Sequence, residues 1–317
     1  MNEANQLKNP IFLAAWPGMG QVAITACYYL ISKLKMAFRA EYASSELFDA
    51  DHVIVEAGVV QPFRYPKNQV FAWRNPDGDH DLLVFIGEAQ PPLGRYDFCR
   101  KLIDYAQREN AQAVFTFAAM ATDSQLADPS RVVGAATDQS TLDKLIDHDI
   151  ALLNAGSISG MNGILLGVAA ERNLPGGCLL GELPGVFVNV PYPKASVSVL
   201  KAISELTKID IDLTELLAES DRMEAHLTHA MEEMRRLENK AAEPEMGDEF
   251  ESFLPAENGK LSTADKARLE RLFQDAQSDR SKAFELKQEL DRLEVFREYE
   301  DRFLDLFSPD DGGETDD

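Results

Sequence analysis

The stretch from residue 152 to residue 185 constrains the fold most, because it contains a strand end, a turn, a helix, a turn and a strand in succession. The apolar run at residues 150–153 predicts a buried strand that leads into it. Gly156 and Gly160 give the backbone freedom where that strand becomes a helix. Pro175, followed by two glycines, ends the helix, and the next strand starts at Cys178. The stretch is therefore typical of a crossover unit in an α/β fold.

The helix inside this unit is predicted to start near Met161, from which apolar residues recur at helical spacing. Ser159 is its predicted N-cap. Gly163 and Gly167 lie four residues apart on one face, so we expect them to let a neighbouring element approach closely. Residues 181–185 predict a tight turn after the second strand.

The rest of the pattern up to residue 206 predicts a mixed sheet covered by helices. Apolar runs predict strands at residues 11–16, 37–42, 113–118 and 132–136, and helical periodicity predicts helices at residues 22–34, 96–109, 142–146 and 195–206. Two further strands, at residues 69–73 and 82–86, are joined by a segment with Asn75-Pro76 and Asp77-Gly78, which are dipeptides that mark a hairpin. We therefore expect a three-layer αβα sandwich in which at least one strand pair is antiparallel.

The glycine-bounded helix starts are candidate anion sites. Free N–H groups and the helix dipole favour a phosphate or carboxylate at a helix N-terminus, and the candidate residues are Gly18, Gly20, Ser157, Ser159 and Gly160. The alternative is that the glycines only permit sharp turns, since the Lys and Ser/Thr of a P-loop and a complete dinucleotide fingerprint are both missing. The sequence leaves both interpretations open.

A second candidate site is the edge at which the predicted strands end. Glu88 and Gln90 follow one strand, Thr122 and Asp123 follow another, and α/β proteins bind ligands at the carboxyl ends of strands. Glu88 and Asp123 form a general acid/base pair only if they meet, and solvated acids are the alternative. The histidines are scattered and the cysteines single, so we expect no metal site, no cofactor and no catalytic residue.

Charge is distributed unevenly along the chain. Residues 1–200 carry 15 Lys+Arg and 21 Asp+Glu, a net of −6, whereas residues 201–317 carry 16 and 33, a net of −17. Binding to nucleic acid or to an anionic membrane requires clustered cations, so neither partner is expected. The acidic balance suits either solubility or a protein client with a basic surface. Three single cysteines, no secretory segment and no apolar run of eighteen residues are typical of a cytoplasmic protein.

The pattern after residue 205 is helical. Apolar residues three and four apart predict a long amphipathic helix at residues 206–240 and a helical segment at residues 263–307, interrupted near residues 278–281. Residues 241–262 predict an acidic linker, and residues 308–317 predict a disordered acidic tail. The apolar stripes either pair with each other, form an oligomeric seam or pack against the chain's own sheet. We therefore expect a core domain of residues 1–205 with an α-helical C-terminal extension.

Three motifs together resemble the proteasome assembly chaperone 2 (PAC2) family. They are W-P-G-M-G-Q-V at residues 16–22, G-S-I-S-G-M-N-G-I-L-L-G at residues 156–167 and L-L-G-E-L-P-G at residues 179–185, and the resemblance covers about residues 10–235. It implies an αβα domain similar in fold to nucleoside phosphorylases and hydrolases but without their catalytic residues. It also implies a protein-binding assembly factor that is often a homo-oligomer.

Some members of that family end in a hydrophobic-Tyr-any motif that docks into the proteasome α-ring. The last residues here are Glu314-Thr315-Asp316-Asp317, so docking through that motif is not expected. The leading hypothesis is a noncatalytic, cytoplasmic protein-interaction factor resembling an assembly chaperone. The alternative is a protein that binds a nucleotide or another anion, or a hydrolase or ligase, and uses the edge of the sheet as its site.

Overall fold

The computed structural model of the protein describes residues 6–49, 53–241, 263–293 and 295–307, with the backbone alone at residues 237–241 and 263–264. It divides into two compact units, one up to Leu217 and the other at Ala218–Ser308. The boundary falls inside the long helix that begins at Thr214. Each unit has its own buried apolar side chains.

The first unit is built on a mixed sheet. Among the described residues it has eight strands in the order β2-β5-β6-β1-β7-β10-β8-β9, and β3 and β4 form a separate hairpin. The strands in chain order are β1 (Ile11–Ala15), β2 (Ala37–Glu41), β3 (Val55–Glu56), β4 (Val59–Val60), β5 (Asn68–Trp73), β6 (Leu82–Gly87), β7 (Ala113–Thr122), β8 (Val132–Ala136), β9 (Ala151–Leu152) and β10 (Gly176–Pro184).

The four central strands, β6, β1, β7 and β10, are parallel to one another. The strands β5, β2 and β8 pair antiparallel with their inner neighbours. Every residue of β1, β6 and β10 is buried, as expected for strands covered by helices on both faces. The predicted antiparallel pair is confirmed as β5 and β6, with Trp73 opposite Leu82.

Helices cover both faces of this sheet, which confirms the predicted αβα fold class. They are α1 (Val22–Lys33), α2 (Arg95–Arg108), α3 (Gln139–Asp147), α4 (Gly160–Glu171) and α5 (Pro193–Thr207), and α6 (Thr214–Ala241) follows them in the chain. The helix α1 packs with α5, and α2 packs with α4. Alternate residues Phe12 and Ala14 of β1, and Trp16 directly after it, belong to the apolar cluster formed with α2 and α4, because successive strand residues point to opposite faces.

Two predicted elements of the crossover unit are wrong in detail. The buried strand at residues 150–153 is only β9, an edge strand with Ala151 exposed, because it pairs with β8 alone over two residues. The turn predicted at residues 181–185 is mostly strand, because β7 extends far enough for Pro184 to pair with Thr122. The helix α4 follows the prediction more closely, with Ser159 at the N-cap position but without a side-chain cap bond.

The glycines of α4 behave differently from the prediction. A Cβ at Gly163 would lie 1.7 Å from the carbonyl oxygen of Ile158, so the close approach is made by the preceding loop. A Cβ at Gly167 would have no neighbour within 4 Å. The expectation of a close contact is therefore wrong for Gly167.

The second unit is helical, with α7 (Thr263–Ser278), α8 (Ala283–Arg292) and α9 (Phe296–Asp305) following the last part of α6. The interruption predicted near residue 278 is present, and the Asp279 side chain accepts the backbone N–H of Ser281 there. The apolar stripe predicted at residues 263–307 forms the interior of this unit, with Leu269, Phe273, Leu286, Leu290, Phe303 and Leu304 buried. The predicted linker beyond Ala241 and the predicted tail at residues 308–317 lie outside the described residues.

Candidate functional site

The candidate site is the carboxyl end of the parallel strands, which we call the rim. The rim consists of residues 16–21 after β1, residues 88–94 after β6, residues 123–131 after β7 and residues 185–192 after β10. The helices that follow the neighbouring strands β1 and β6 lie in different layers, since α1 packs with α5 and α2 with α4. Such a point is where open α/β sheets form a ligand crevice.

The side chain of Gln90 lies across this crevice. Its Nε2 donates to the carbonyl oxygen of Pro17 at 2.9 Å, and its Oε1 accepts the backbone N–H of Met161 at 3.2 Å. One amide therefore joins the turn after β1, the turn after β6 and the first turn of α4. The N–H that a bound anion would use at Met161 already has a partner within the chain.

Gly160 meets the same side chain. Its φ is +72°, a conformation that favours glycine, and a Cβ there would lie 2.5 Å from Gln90 Oε1. The fold thus brings together Gln90, which is predicted at the ends of the strands, and Gly160, which is predicted as part of an anion site. No sequence pattern indicates that the two are in contact. Ser157 and Ser159 are exposed beside them.

The glycine turn after β1 is closed by the loop after β10. The N–H of Gly20 donates to the carbonyl oxygen of Val188 at 2.8 Å, and the carbonyl oxygen of Gly20 accepts the N–H of Tyr192 at 2.9 Å. Gly20 is buried with a φ of +60°, whereas Gly18 is exposed and extended. Both backbone polar groups of Gly20 are therefore engaged, which favours the interpretation of this glycine as a turn residue.

Glu88 is a buried carboxylate held by a single neighbouring segment. Its side chain is 3% exposed, and its oxygens lie 2.9 and 3.0 Å from Arg64 Nη2. One oxygen also accepts the backbone N–H of Lys67 at 2.6 Å. Burial raises the pKa of Glu88, while the Lys67 N–H and the Arg64 guanidinium oppose that rise. Glu88 thus ties residues 64–67 to the rim.

Thr122 and Asp123 lie at the same end of the sheet but away from Glu88. The hydroxyl of Thr122 donates to Ser124 Oγ at 2.8 Å, and Asp123 is exposed. Ala14 pairs with both Phe85 and Thr116, so Asp123 is four residues further along its strand direction than Glu88. Four residues correspond to about 13 Å along the strand, and two strand spacings add about 10 Å across the sheet. The register therefore separates the two acids, and they do not form the acid/base pair considered from the sequence.

Sequence reasoning missed a second buried acid close to the rim, Glu182 near the end of β10. Arg131 Nε donates to its Oε2 at 2.9 Å, and Ser130 Oγ donates to its backbone oxygen at 2.6 Å. Glu182 therefore holds the end of the loop after β7 in the way that Glu88 holds residues 64–67. The partners lie 51 and 52 residues apart in the chain, so no local motif could have indicated them.

The clefts and thiols that could also form a site lie away from Glu88, Gln90, Thr122 and Asp123. Two clefts of about 460 and 660 Å³ run along α2, where they share Lys101 and Asp104. Burial raises the pKa of the Cys99 and Cys178 thiols to about 12, so both stay protonated at neutral pH.

No group of three or more His, Cys, Asp or Glu among the described residues could hold a metal ion. No helix in the part of the chain that the structure describes is long and apolar enough to cross a membrane.

Comparisons with known proteins agree with this fold. The chain is 26% identical over 227 residues to an uncharacterized protein of Methanocaldococcus jannaschii, covering 71% of this chain and 84% of the relative. Among solved structures, it matches PbaB of Pyrococcus furiosus, an archaeal proteasome activator, with 26% identity and a TM-score of 0.61, covering 71% of this chain and 94% of PbaB. A PAC2 family protein from Streptomyces avermitilis has the same fold at 21% identity and a TM-score of 0.61, covering 69% and 95%.

The PAC2 family model matches residues 12–231, which include the sheet apart from its first residue, the rim and most of α6. The three motifs that carry the predicted resemblance all lie inside this range. The match thus covers more than half of the chain. The chain belongs to the PAC2 family.

Proposed function

We propose that this protein is a noncatalytic, assembly-chaperone-like factor that binds a protein client in the cytoplasm and works as a homo-oligomer. In this proposal the core domain of residues 1–205 provides a rigid scaffold. The helical segments beyond it carry most of the negative charge and select a client with a basic surface.

The observation that carries this proposal is that polar groups of the rim are hydrogen-bonded within the chain. The Gln90 amide, the Glu88 carboxylate and the Gly20 backbone bond to other parts of the same chain. A small-molecule site needs several polar groups that converge on an open pocket. Polar groups that are already bonded to neighbouring segments of the chain instead hold the loops in place, which suits a scaffold better than an enzyme.

The similarity to PbaB supports a proteasome particle as the first client to test. A chaperone homologue from Pyrococcus furiosus, PbaA, has the same fold at 24% identity and a TM-score of 0.57. Because function resides in sites rather than in folds, the client must be identified by experiment.

Affinity purification from native lysate tests the proposal. The full chain should retrieve a defined protein partner, and the amount retrieved should fall as salt rises, because exposed charges are screened. Purified 20S proteasome from the same organism is then added to the pure chain to test direct binding. Retrieval of no protein, together with saturable binding of a nucleotide or phosphate to the rim, would contradict the proposal.

A further inference from the structure

An apolar arm projects beside the rim. The arm comprises residues 53–67, in which β3 and β4 form a hairpin with Val55 opposite Val60 and Glu56 opposite Val59. Ala57 and Gly58 form its two-residue turn with φ values of 48° and 81°, and the N–H of Gln61 donates to the carbonyl oxygen of Ile54 at 2.8 Å. Positive φ at both central residues is the hallmark of a tight type I′ hairpin.

Both faces of this hairpin are exposed. Residues that are neighbours along a strand point to opposite faces, yet the large aliphatic side chains on either side are all more than half exposed. They are Val53 (53%), Ile54 (56%), Val55 (58%), Val59 (62%) and Val60 (61%). Together they present on the order of 400 Å² of apolar surface, comparable with the largest patch on a typical monomer. A two-stranded hairpin without a covering surface is marginally stable at best, so its partner must be sought outside the described residues.

The arm is nevertheless held firmly at its base. Arg64 Nη2 lies 2.9 Å from Glu88 Oε1, and the N–H of Lys67 donates to Glu88 Oε2 at 2.6 Å. Phe63 and Tyr65 form an edge-to-face pair with ring centroids 4.6 Å apart. The ring pair stiffens the base of the arm, and the Glu88 contacts fix where the hairpin leaves the core. A fixed apolar element suits a stable contact because little ordering is needed on binding.

We infer that the arm packs reciprocally against a second copy of this chain and is the self-association element of the proposed homo-oligomer. The inference rests on the oligomeric part of the proposed function. A stable interface buries about 800 Å² on each partner, roughly twice what the hairpin offers. In a two-fold contact each copy buries its own arm and also the surface that receives the partner's arm. The two areas are of similar size, so together they reach about 800 Å² on each copy.

Charge also favours a second copy over a charge-selected client. The arm contains one acid, Glu56, and two bases, Arg64 and Lys67, whereas the chain as a whole has a net charge of −23. Two copies therefore meet at this point with little like-charge repulsion. A hairpin rich in β-branched residues with bare edges is prone to aggregate, and a second copy, which is present wherever the chain is, can cover it continuously.

Sedimentation velocity of the full chain tests the inference. The double variant Val59→Lys/Val60→Lys changes side chains that are already exposed, so the core should remain folded. It should weaken self-association at least tenfold relative to the wild type. Ile146→Lys, which alters an exposed aliphatic side chain on α3, is the matched control and should leave self-association unchanged. A wild type that stays monomeric at tens of micromolar, or a double variant that associates as the wild type does, would overturn the inference.

Thiol labelling of a Val59→Cys variant identifies the occupant. The native cysteines, Cys27, Cys99 and Cys178, are all buried, so the new thiol is the accessible one. Its labelling should slow as protein concentration rises through the self-association range. Protection that persists in the monomer, at concentrations where sedimentation shows a single chain, would assign the arm to a segment of its own chain, and an unprotected thiol at high concentration would leave it for another protein. Either result overturns the inference, while retrieval of a client by the full chain tests the proposed function separately.

Discussion

Gln90 Oε1 accepts the backbone N–H of Met161 at 3.2 Å, across 71 residues of sequence. The helix α4 therefore receives a side-chain cap from another loop, whereas its own N-cap residue, Ser159, provides none. The same amide donates to Pro17 at 2.9 Å. Three segments of the rim thus depend on one side chain for their relative position.

Replacing Gln90 by Ala should lower the free energy of unfolding by about 1–2 kcal/mol, because a donor at Met161 and an acceptor at Pro17 lose their partner. Urea denaturation followed by circular dichroism measures this change. Gln125→Ala is the matched control, since Gln125 is an exposed rim glutamine and its loss should change stability little. Equal midpoints for the two variants would show that the Gln90 bridge contributes no stability.

The glycines of α4 offer a second, paired test. Gly163→Ala should destabilise the protein by roughly 1–3 kcal/mol, since the new Cβ would overlap the Ile158 carbonyl oxygen and the loop must move. Gly167→Ala adds a methyl group in open space and should stabilise the helix by up to about 1 kcal/mol. Thermal melts compare the two substitutions directly. Similar shifts in melting temperature for both would show that helix propensity alone decides the outcome.

The sheet and helices follow from local patterns, whereas the contacts of the rim do not. The hairpin of β5 and β6 was predictable because Asn75-Pro76 and Asp77-Gly78 force a turn between two apolar runs. The length of β7 was not, because its last residues are in a strand only through pairing with β10, about sixty residues later. Arg64, Pro17 and Met161 likewise reach their partners through the tertiary fold, so no sequence spacing indicates them.

The exposure of the arm could not be predicted from the sequence either. The pattern Val-Glu-Ala-Gly-Val-Val at residues 55–60 contains two residues, Ala57 and Gly58, between short valine-containing runs, and a glycine at such a place is consistent with a short hairpin. The pattern alone would place such valines in a core. Only the structure reveals that they are more than half exposed, since burial depends on what the rest of the chain leaves uncovered.

Asp138 should make α3 sensitive to acid. It is the N-cap of this helix, and its side chain accepts the backbone N–H of Thr141 at 3.0 Å. Burial acts to raise the pKa of Asp138, but hydrogen bonds from Thr141 and Thr137 outweigh it and lower the pKa below its ordinary value. A lowered pKa in the folded state means that the stabilisation is present above about pH 3.9 and is lost as pH falls through the folded value.

Asp138→Ala should therefore cost about 1 kcal/mol at pH 7 and progressively less in acid. Asp138→Asn is the control, because it keeps a capping oxygen without a charge that titrates, and it should cost less at pH 7. Chemical denaturation at several pH values measures both. A cost of Asp138→Ala that is constant from pH 7 to pH 2.5 would contradict this assignment.

Glu88 should have the opposite pH dependence. Because burial raises the pKa of Glu88, the folded state holds its proton more tightly than the unfolded state does. Its contribution is then greatest below the ordinary glutamate value of about 4.3 and decreases as pH rises through the folded pKa. The unfolding free energy of the wild type minus that of Glu88→Gln should therefore fall as pH rises from about 4.3 to the folded pKa of Glu88, and it should stay constant at higher pH. A difference that rises with pH there would show that Arg64 and the Lys67 N–H dominate over burial.

The C-terminal region beyond the sheet, rather than the rim, is predicted to choose the client, and to do so by charge. Residues 201–317 carry 33 acids against 16 bases, a net of −17. The apolar stripe at residues 263–307, which the sequence offered as contact area, is buried inside the helical unit, so charge on its outer surface is the feature left to act. Exposed charges mainly steer association, which makes the association rate the quantity to measure.

Neutralising exposed acids of this unit, as in Asp275→Asn/Glu298→Gln, should slow association with the client, and raising salt should slow association of the wild type more than it speeds dissociation. Asp143→Asn/Asp147→Asn removes two exposed acids from α3 and should leave the rate unchanged. Deleting residues 241–317 should abolish retrieval while the far-ultraviolet circular dichroism of the core persists. If the shortened chain still retrieved the same client at an unchanged association rate, the binding surface would have to lie on the rim around Glu88 and Asp123, and the acidic region would serve only to keep the protein in solution.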